Sequence, residues 1–311
     1  MIGDYWTRVK LERIEAYFPF FLAAMHGRYR TWYVDAFAST GRVKLRQPRD
    51  SRAGGFFPPT DPFIDGSARR ALRLEQPFDR YYFVDIEERK CERLERLRDD
   101  FPALHDRIRV RCADANEFVR RFCRRLENQS SRALMFLDAP GTVVGWKTIE
   151  EIAQTGAVDL WYLFPLGIAV NRLLKRRGDQ ISESVKRTLV YLFGSDGWEQ
   201  EFFVPRGSEG FFPEPAATAK VANFQAITSY FVRRLKTVFP YVAERPLNLY
   251  NRRRNPMFSL FFASADHDGK DRLSLAQAIL RIPSTAHAFP ARLRQLLSQQ
   301  RPRVGSENDS E

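Results

Sequence analysis

The 311-residue sequence has little cysteine and no long hydrophobic run. Its three cysteines stand apart along the chain, at Cys91, Cys112 and Cys123. An odd number of isolated cysteines argues against a disulfide framework or a zinc site, and it indicates reduced thiols. The longest apolar run, Val158–Val170, includes an aspartate and a proline and is too short to span a bilayer. We therefore expect a cytoplasmic protein with no membrane partner.

Several motifs of catalytic chemistry are also missing from the sequence. The four histidines are scattered, with no spacing that suits metal binding or base catalysis. No Gly-x-x-x-x-Gly-Lys-Ser/Thr sequence occurs, which argues against a nucleoside triphosphatase. The Gly-x-Ser-x-Gly sequence of serine hydrolases is absent as well. We therefore expect neither a resident metal nor nucleophilic serine chemistry.

Basic residues, in contrast, are abundant. Lys and Arg total 50 against 38 Asp and Glu, which gives a net charge of +12. A chain with this balance attracts polyanions, so nucleic acid is a natural partner. Some of the charge is clustered, which favours a phosphate-binding face. The clusters are Arg120, Arg121, Arg124 and Arg125 on one predicted helix, Lys175–Arg177, and Arg252–Arg254. An arginine-rich surface with no binding role is the alternative.

Four strand-like segments each carry an aspartate at or just beyond the carboxyl end. The segments are about Thr31–Ala36, Tyr81–Asp85, Arg107–Cys112 and Ala133–Leu137, with Asp35, Asp85, Asp114 and Asp138 at their ends. Helical patterns separate these segments, and a fifth strand is predicted at Val158–Phe164. Such an alternation predicts a parallel sheet with right-handed crossovers.

The last two predicted strands distinguish between the known arrangements of such sheets. Pro246–Tyr250 and Met257–Ala265 are separated by a short turn. So short a connection cannot form a parallel crossover, so these strands should be antiparallel neighbours. A mostly parallel sheet closed by an antiparallel strand pair is the layout of the class I S-adenosylmethionine-dependent methyltransferases. The predicted fold is therefore this Rossmann-like α/β fold with a helical insertion.

The predicted organisation has five parts. They are an N-terminal helical segment (1–30), the α/β core (31–167), a mainly helical insertion (168–240), a C-terminal strand pair and helix that complete the core (241–285), and a polar tail (286–311). Within the core, residues 43–64 are rich in Arg, Pro and Gly and are expected to form a long loop after the first strand. Loops of this length in compact domains are usually functional lids or disordered segments.

The first strand leads into a turn, Tyr33–Gly41, that suits an anionic ligand group. A tight turn exposes backbone N–H groups, and here a methionine carboxylate or a phosphate would fit. We expect Asp35, Phe37 and Gly41 to contact a cofactor. The structural alternative is that Asp35 caps the turn and Gly41 only supplies a positive φ angle.

Asp85 and Asp114 are candidate ligands of the same cofactor. An acidic residue after the second strand is the usual acceptor for ribose hydroxyls in such sheets. Asp114 is placed to accept a hydrogen bond from an adenine amino group, provided that Asn116 caps the following helix in its stead. The alternative for Asp85 is that it caps the helix that begins near Glu87.

Asp138 begins the sequence Asp-Ala-Pro-Gly, where a methyl-accepting group would be held beside the cofactor. A carboxylate there could orient or deprotonate a nitrogen acceptor, so Asp138 is the candidate catalytic residue. Pro140 and Gly141 in the same turn are candidate substrate contacts, as is Trp146 after the loop. The alternative is an aspartate that only stabilises the turn.

Six stretches of the chain form a specific combination: residues 33–41, Asp65–Ala68, Leu137–Trp146, Asp159–Gly167, Val170–Leu174 and Asn255–Phe258. This combination resembles the three-Cys-motif partner proteins over residues 5–282. The resemblance implies a methyltransferase-like fold and an S-adenosylmethionine pocket lined by Asp35, Gly41, Asp85 and Asp114, with Asp138 facing the acceptor. It also implies a partner, a separate protein that carries the cysteine motif.

Two positions differ from the family pattern. Ser39 replaces the first glycine of the opening turn, where a side chain would hinder close approach of the backbone to a cofactor. The family's Asp-Pro-aromatic-Gly sequence is replaced by Asp-Ala-Pro-Gly, with Ala139 after the aspartate, so the aromatic residue that stacks on a base is lost. The loss of the aromatic residue weakens the case for a base-methylating site, and both differences support a catalytically idle module.

The leading hypothesis is an S-adenosylmethionine-dependent methyltransferase that acts on nucleic acid or on a partner associated with nucleic acid. Catalysis would consist mainly of positioning and desolvation of the acceptor. The alternative is a catalytically idle module of the same fold that serves as partner of the three-Cys-motif protein, in phage biology or defence. A third reading is a basic nucleic-acid-binding protein that needs no cofactor.

Overall fold

A computed structural model describes residues 2–3, 5–45, 63–126, 130–205, 218–251 and 253–282. The expected polar tail (286–311), Arg252 and the middle of the 43–64 segment lie outside the described residues. The strands are β1 (Ile2–Gly3), β2 (Arg30–Asp35), β3 (Arg42–Leu45), β4 (Phe63–Asp65), β5 (Arg80–Asp85), β6 (Ile108–Cys112), β7 (Ser131–Leu137), β8 (Val158–Phe164), β9 (Phe203–Pro205), β10 (Thr218–Lys220), β11 (Tyr241–Val242), β12 (Leu247–Tyr250) and β13 (Pro256–Ser264).

The helices separate the strands of the first half and dominate the segment after β8. They are α1 (Tyr5–Met25), α2 (Ser67–Leu72), α3 (Glu88–Glu95), α4 (Leu97–Asp100), α5 (Ala115–Leu126), α6 (Trp146–Gln154), α7 (Asn171–Leu173), α8 (Glu183–Phe193), α9 (Trp198–Phe202), α10 (Phe224–Lys236) and α11 (Lys270–Leu280). A π turn spans Leu166–Val170, and 3-10 turns span Pro102–Arg107 and Gly178–Gln180. None of the described helices combines the length and apolar character that a bilayer crossing requires.

An eight-stranded sheet forms the centre of the protein, in the order β11-β13-β8-β7-β2-β5-β6, with β12 also paired to β13. The five neighbouring strands β8, β7, β2, β5 and β6 run parallel to one another. β13 is antiparallel to both β8 and β12. The prediction of a mostly parallel sheet closed by an antiparallel strand pair is therefore confirmed, and this arrangement is that of the class I methyltransferase fold.

Two apolar layers cover the sheet because side chains alternate between its faces. Leu160, Tyr162 and Phe164 of β8 pack on the layer that contains α5, α6, α8, α9 and α10. Trp161 and Leu163, between them, pack on the opposite layer with α1, α2, α3 and α11. Because both faces are covered, β8 has no exposed position and its sequence is almost wholly apolar.

The segment expected to be a loop, residues 43–64, begins and ends in strands. β3 pairs antiparallel with β4, with Arg42 opposite Asp65 and Val43 opposite Ile64. β1 adds to β3 in parallel, so a small side sheet forms beside the central one. Strands of two to four residues carry too little hydrophobic alternation to be recognised in sequence, which explains why the loop prediction was wrong at its two ends.

A buried charge network fastens α1 and α11 to the centre of the sheet. The Asp159 carboxylate of β8 accepts hydrogen bonds from Tyr17 Oη at 2.7 Å and from Arg272 Nε at 2.8 Å. Arg272 also donates to Asp266 at 2.8 Å, and Asp266 accepts from Arg132 Nε at 2.9 Å. Burial raises the pKa of Tyr17 well above its ordinary value, and the Asp159 charge adds to this effect. The phenol therefore stays a hydrogen-bond donor, and the network holds this layer of helices on the sheet.

Candidate functional site

Four aspartates lie along one edge of the parallel sheet, as the sequence predicts. Asp35 and Asp85 are the last residues of β2 and β5, Asp114 lies two residues beyond β6, and Asp138 directly follows β7. The chain places β5 on one side of β2 and β7 on the other, so the strand order reverses at β2. Open α/β sheets bind ligands in the crevice at the carboxyl ends of the strands where this reversal occurs.

The Asp35 carboxyl group is completely buried. It accepts hydrogen bonds from Ser67 Oγ, at the start of α2, and from the Phe37 backbone N–H at 3.4 Å. Burial, together with the nearby Asp138 charge, raises the pKa of Asp35 to about 7, against the lowering effect of the Ser67 hydrogen bond. In this structure Asp35 therefore does not contact solvent, where a ligand would bind, and instead fixes the turn to α2.

Asp85 holds the turn after β2 in place. Its carboxylate accepts from the Ser39 backbone N–H at 3.1 Å through one oxygen and from the Glu87 N–H at 3.0 Å through the other. The Lys90 ammonium lies 3.5 Å from the same carboxylate. Asp85 thus makes contacts that are expected if it caps the helix that begins near Glu87. It is 8% exposed and lies at the sheet edge where a ribose would lie.

Ser39 adopts a left-handed backbone conformation, with φ of +56°. In a non-glycine residue this conformation reduces the free energy of unfolding by about 1–2 kcal/mol. Gly41 also has a positive φ, +69°, and its carbonyl accepts from the Gly66 N–H at 2.9 Å. Of the two positions in this turn where glycine is favoured, one is therefore a glycine, Gly41, and the other is Ser39.

Asp114 is the N-cap of α5, because its Oδ1 accepts a hydrogen bond from the Glu117 N–H at 3.0 Å. The expectation that Asn116 would cap this helix is wrong. Asn116 instead donates to the Val143 carbonyl at 2.8 Å and accepts from the Gly145 N–H at 3.1 Å, which ties the loop after β7 to α5. Asp114 remains exposed at the sheet edge, although its capping role is structural.

Asp138 forms an ion pair with Lys10, a residue that the sequence reasoning missed. The Lys10 side chain is 2% exposed and that of Asp138 is 15% exposed. Lys10 falls within the apolar stripe of α1, one helical turn before Ile14, and a charge at such a position is the signal that could have revealed it. The candidate catalytic carboxylate is thus already engaged by a cation from the N-terminal helix.

A small polar cavity lies beside this ion pair. It has a volume of about 20 Å³ and is lined by residues of α1, the turn after β2 and the start of α2, together with Asp138. Thr7 Oγ1 and Ser39 Oγ are buried there without a hydrogen-bond partner among the described residues. A cavity of this size holds about one water molecule, which would satisfy both hydroxyl groups.

The opposite end of the carboxyl edge is open and partly apolar. Ile86, directly after Asp85, is 69% exposed, and Val143 in the loop after β7 is 43% exposed. Tyr191 of α8 donates to the Val143 carbonyl at 3.2 Å. Burial raises the pKa of Tyr191, and the Asp114 charge adds to this. Exposed apolar side chains beside two carboxylates were not anticipated from sequence, since single exposed residues carry no periodic signal.

The three candidate substrate contacts lie in different surroundings. Pro140 is exposed, and Gly141 turns the chain with a φ of +69°. Trp146 is buried at the start of α6, with the Arg234 guanidinium 4.6 Å above its ring. Its Nε1 donates to Glu150 at 2.8 Å, so the indole is part of the core in this structure and does not line the cavity beside Asp138.

Two of the cysteines that look isolated in the sequence come together behind Asp85. All three cysteines are reduced, and Cys91 Sγ donates to the Asp85 carbonyl at 3.3 Å. Burial raises the pKa of the Cys91 thiol to about 12, and the neighbouring Cys112 thiol adds to the rise. Cys91 is therefore an unreactive packing residue under the strand end.

No protein-family model matches the chain, and no curated protein resembles it closely enough to count as a relative. Solved structures of low sequence identity match the chain, among them the following two. A Legionella pneumophila protein of the DUF519 family is 12% identical, with 96% of this chain and 91% of that chain covered and a TM-score of 0.47. A spermidine synthase in complex with the transition-state analogue AdoDATO is also 12% identical, with 94% and 76% covered and a TM-score of 0.39. At this similarity neither bears on activity.

The residues at the edge fit a nucleoside-bearing cofactor. Ile86 and Val143 offer apolar surface to a base, and the Asp85 and Asp114 carboxylates offer acceptors to hydroxyl and amino groups. At the other end the two unpartnered hydroxyls offer polar contacts, but the cavity has room for one water only. A complete cofactor would therefore require the Lys10–Asp138 pair to separate.

Proposed function

We propose that the protein is an S-adenosylmethionine-dependent methyltransferase that acts on nucleic acid or on a partner associated with nucleic acid. The observation that carries the proposal is the position of Asp85, Asp114 and Asp138 at the strand-order reversal of a parallel sheet that an antiparallel strand pair closes. The cofactor would supply an electrophilic methyl group. The net charge of +12 supports a polyanionic acceptor.

Each residue at the edge has a role in this proposal. Asp85 would accept from the ribose hydroxyls in addition to the Ser39 and Glu87 N–H groups, and Asp114 would accept from the adenine amino group with the oxygen that does not cap α5. Ile86 and Val143 contact the faces of the base. Asp138 orients the acceptor nitrogen once Lys10 has released it, and Lys10 then remains as a cation near the reacting groups.

A second candidate function is a catalytically idle module that partners a three-Cys-motif protein. It is favoured by the Lys10–Asp138 pair, which occupies the proposed catalytic carboxylate, and by the water-sized cavity beside it. Membership of the three-Cys-motif partner family is part of this proposal and rests on the sequence resemblance alone.

Titration calorimetry with S-adenosylmethionine tests cofactor binding. We expect Asp85→Ala to weaken binding at least about tenfold, because each hydrogen bond to a charged group contributes about 1.5–3 kcal/mol. Asp114→Ser separates ligand binding from helix capping, since serine keeps the cap but loses the carboxylate. Asp106→Ala, at an exposed position in the turn before β6, is the matched control and should leave binding unchanged. A wild-type protein that shows no heat at high cofactor concentration refutes the proposal.

Transfer of a labelled methyl group to DNA, tRNA or the partner protein separates the two candidate functions. For the enzyme, Asp138→Asn should lower the rate at least about 100-fold, because a positioned acid or base contributes roughly that much. Binding of the cofactor should survive this change. Intact cofactor binding by the wild type, without transfer to any of the three acceptors, favours the idle module.

A further inference from the structure

The arginine cluster of α5 divides into two halves. Arg120 and Arg124 face α6, where they lie 3.1 and 3.8 Å from the Glu151 carboxylate. Arg121 and Arg125 instead line a groove of about 430 Å³ between α5 and β6. One half of the cluster is therefore paired within the fold, and the other half faces an open groove.

The groove is strongly basic. It is lined by five guanidinium groups and a single carboxylate, from Arg80, Arg109, Arg111, Arg121 and Arg125, and from Glu117. Glu117 pairs with Arg121 on the same helix face. Within the described part of the chain the other four guanidinium groups have no carboxylate at ion-pair distance. So many like charges in one concavity create a potential that attracts anions.

Two of these arginines are held in position by their own strand. β6 is the last strand on this side of the sheet. Arg109 Nη1 donates to the Ile108 carbonyl and Arg111 Nη1 to the Val110 carbonyl, both at 2.8 Å. Each guanidinium keeps further N–H groups for a ligand. The two side chains lie two residues apart on one strand face, about 7 Å, which is close to the spacing of successive phosphates in an extended nucleic-acid strand.

The floor of the groove is aromatic. Trp32, Tyr82 and Phe118 are partly exposed there, and Phe122 lies beneath them. The ring centres of Trp32 and Tyr82, and of Tyr82 and Phe118, are 6.0 Å apart. Aromatic rings beside cationic side chains form the platform on which single-stranded nucleic acids stack their bases.

We propose that this groove binds a single strand of nucleic acid, with phosphates on the arginines and a base on the aromatic floor. A duplex keeps its bases stacked inside, so only an unstacked base reaches a floor recessed between a strand and a helix. The groove includes Ala113, next to Asp114 at the sheet edge, so a bound strand would reach the adenine end of the proposed cofactor site. The inference deepens the proposed function and rests on it for the reaction, but not for the binding.

Fluorescence anisotropy with short labelled oligo(dT) and oligo(U), without cofactor and over a series of salt concentrations, tests the groove. Arg109→Gln with Arg111→Gln should weaken binding at least about tenfold. The slope of log affinity against log salt should fall by about 1.4, since each lost phosphate contact removes about 0.7 for a single strand. Arg120→Gln with Arg124→Gln removes the same charge from the other side of α5 and should stay within about twofold.

Binding of either oligonucleotide with this variant pattern supports the groove, and the tighter of the two identifies RNA or DNA as the ligand. Equal weakening by the two double variants would overturn the proposal, as would a duplex that competes as well as a single strand, or a wild type that binds neither probe. Arg80→Gln with Arg125→Gln provides a second test on β5 and α5 if the β6 variant does not fold. Selective oligonucleotide binding without any cofactor binding would refute the proposed function and leave the groove standing.

Discussion

Replacement of Asp35 by asparagine should stabilise the protein, and the gain should grow with pH. Burial raises the pKa of Asp35 from its usual 3.8 to about 7. Between these values the folded state binds a proton that the unfolded state has lost. The free energy of unfolding therefore falls by about 1.4 kcal/mol for each pH unit. The contribution is complete below pH 4 and is lost as pH rises through 7, whereas asparagine has no proton to lose.

The expected difference follows by integrating this dependence. The gain of Asp35→Asn over the wild type should be about 2.5 kcal/mol larger at pH 8 than at pH 5. Urea denaturation of both proteins at the two pH values measures it, and all other titrating groups cancel in the comparison. Asp106→Asn, exposed and on the surface, is the control and should change by less than about 0.5 kcal/mol. A difference for Asp35→Asn that does not depend on pH would refute the assigned burial and its electrostatic cost.

Three further changes probe the fold and the turn. Arg272→Met removes the guanidinium that two buried carboxylates share and should cost about 3–5 kcal/mol in urea denaturation, whereas Arg28→Met, which breaks an exposed pair, should cost less than about 1 kcal/mol. Ser39→Gly should raise stability by about 1 kcal/mol, because it relieves the left-handed strain and the unpartnered hydroxyl; a lower melting temperature would mean that the hydroxyl is bound. Gly167→Ala should prevent stable folding, judged by circular dichroism, because its Cβ would lie 1.8 Å from the Pro256 carbonyl oxygen; native ellipticity would contradict the close packing of the π turn.

The parallel core could be predicted because its signals are local and strong. β2, β5 and β7 are short, mainly apolar runs, β6 alternates apolar residues with arginine, and each of the four stops at or near an aspartate. β8 is apolar apart from Asp159. The short connection between β12 and β13 requires an antiparallel pair on geometric grounds alone. These features depend on neighbouring residues, so a single sequence carries them.

The candidate site could be predicted only in part, because its state depends on contacts between distant residues. Sequence placed the aspartates at one edge, but it could not show that Lys10 reaches Asp138 or that Asp85 is bonded to the Ser39 backbone. Nor could it divide the α5 arginines, since helix periodicity does not reveal that Glu151 of α6 neutralises only one side. Contacts of this kind join residues that are far apart in the chain, so no regular spacing in the sequence predicts them.

The charge network that fastens α1 has a consequence for synthesis of the chain. Tyr17 and its acceptor Asp159 are 142 residues apart, and the third member of the network, Arg272, follows 113 residues after that. At about 5–20 residues per second, the ribosome makes Asp159 roughly 7–28 s after Tyr17. During this time Tyr17 has no native acceptor, and α1 can pack only on earlier elements such as β2 and α2. The first helix to be made is thus among the last to be secured, and we expect it to be the segment that chaperones protect.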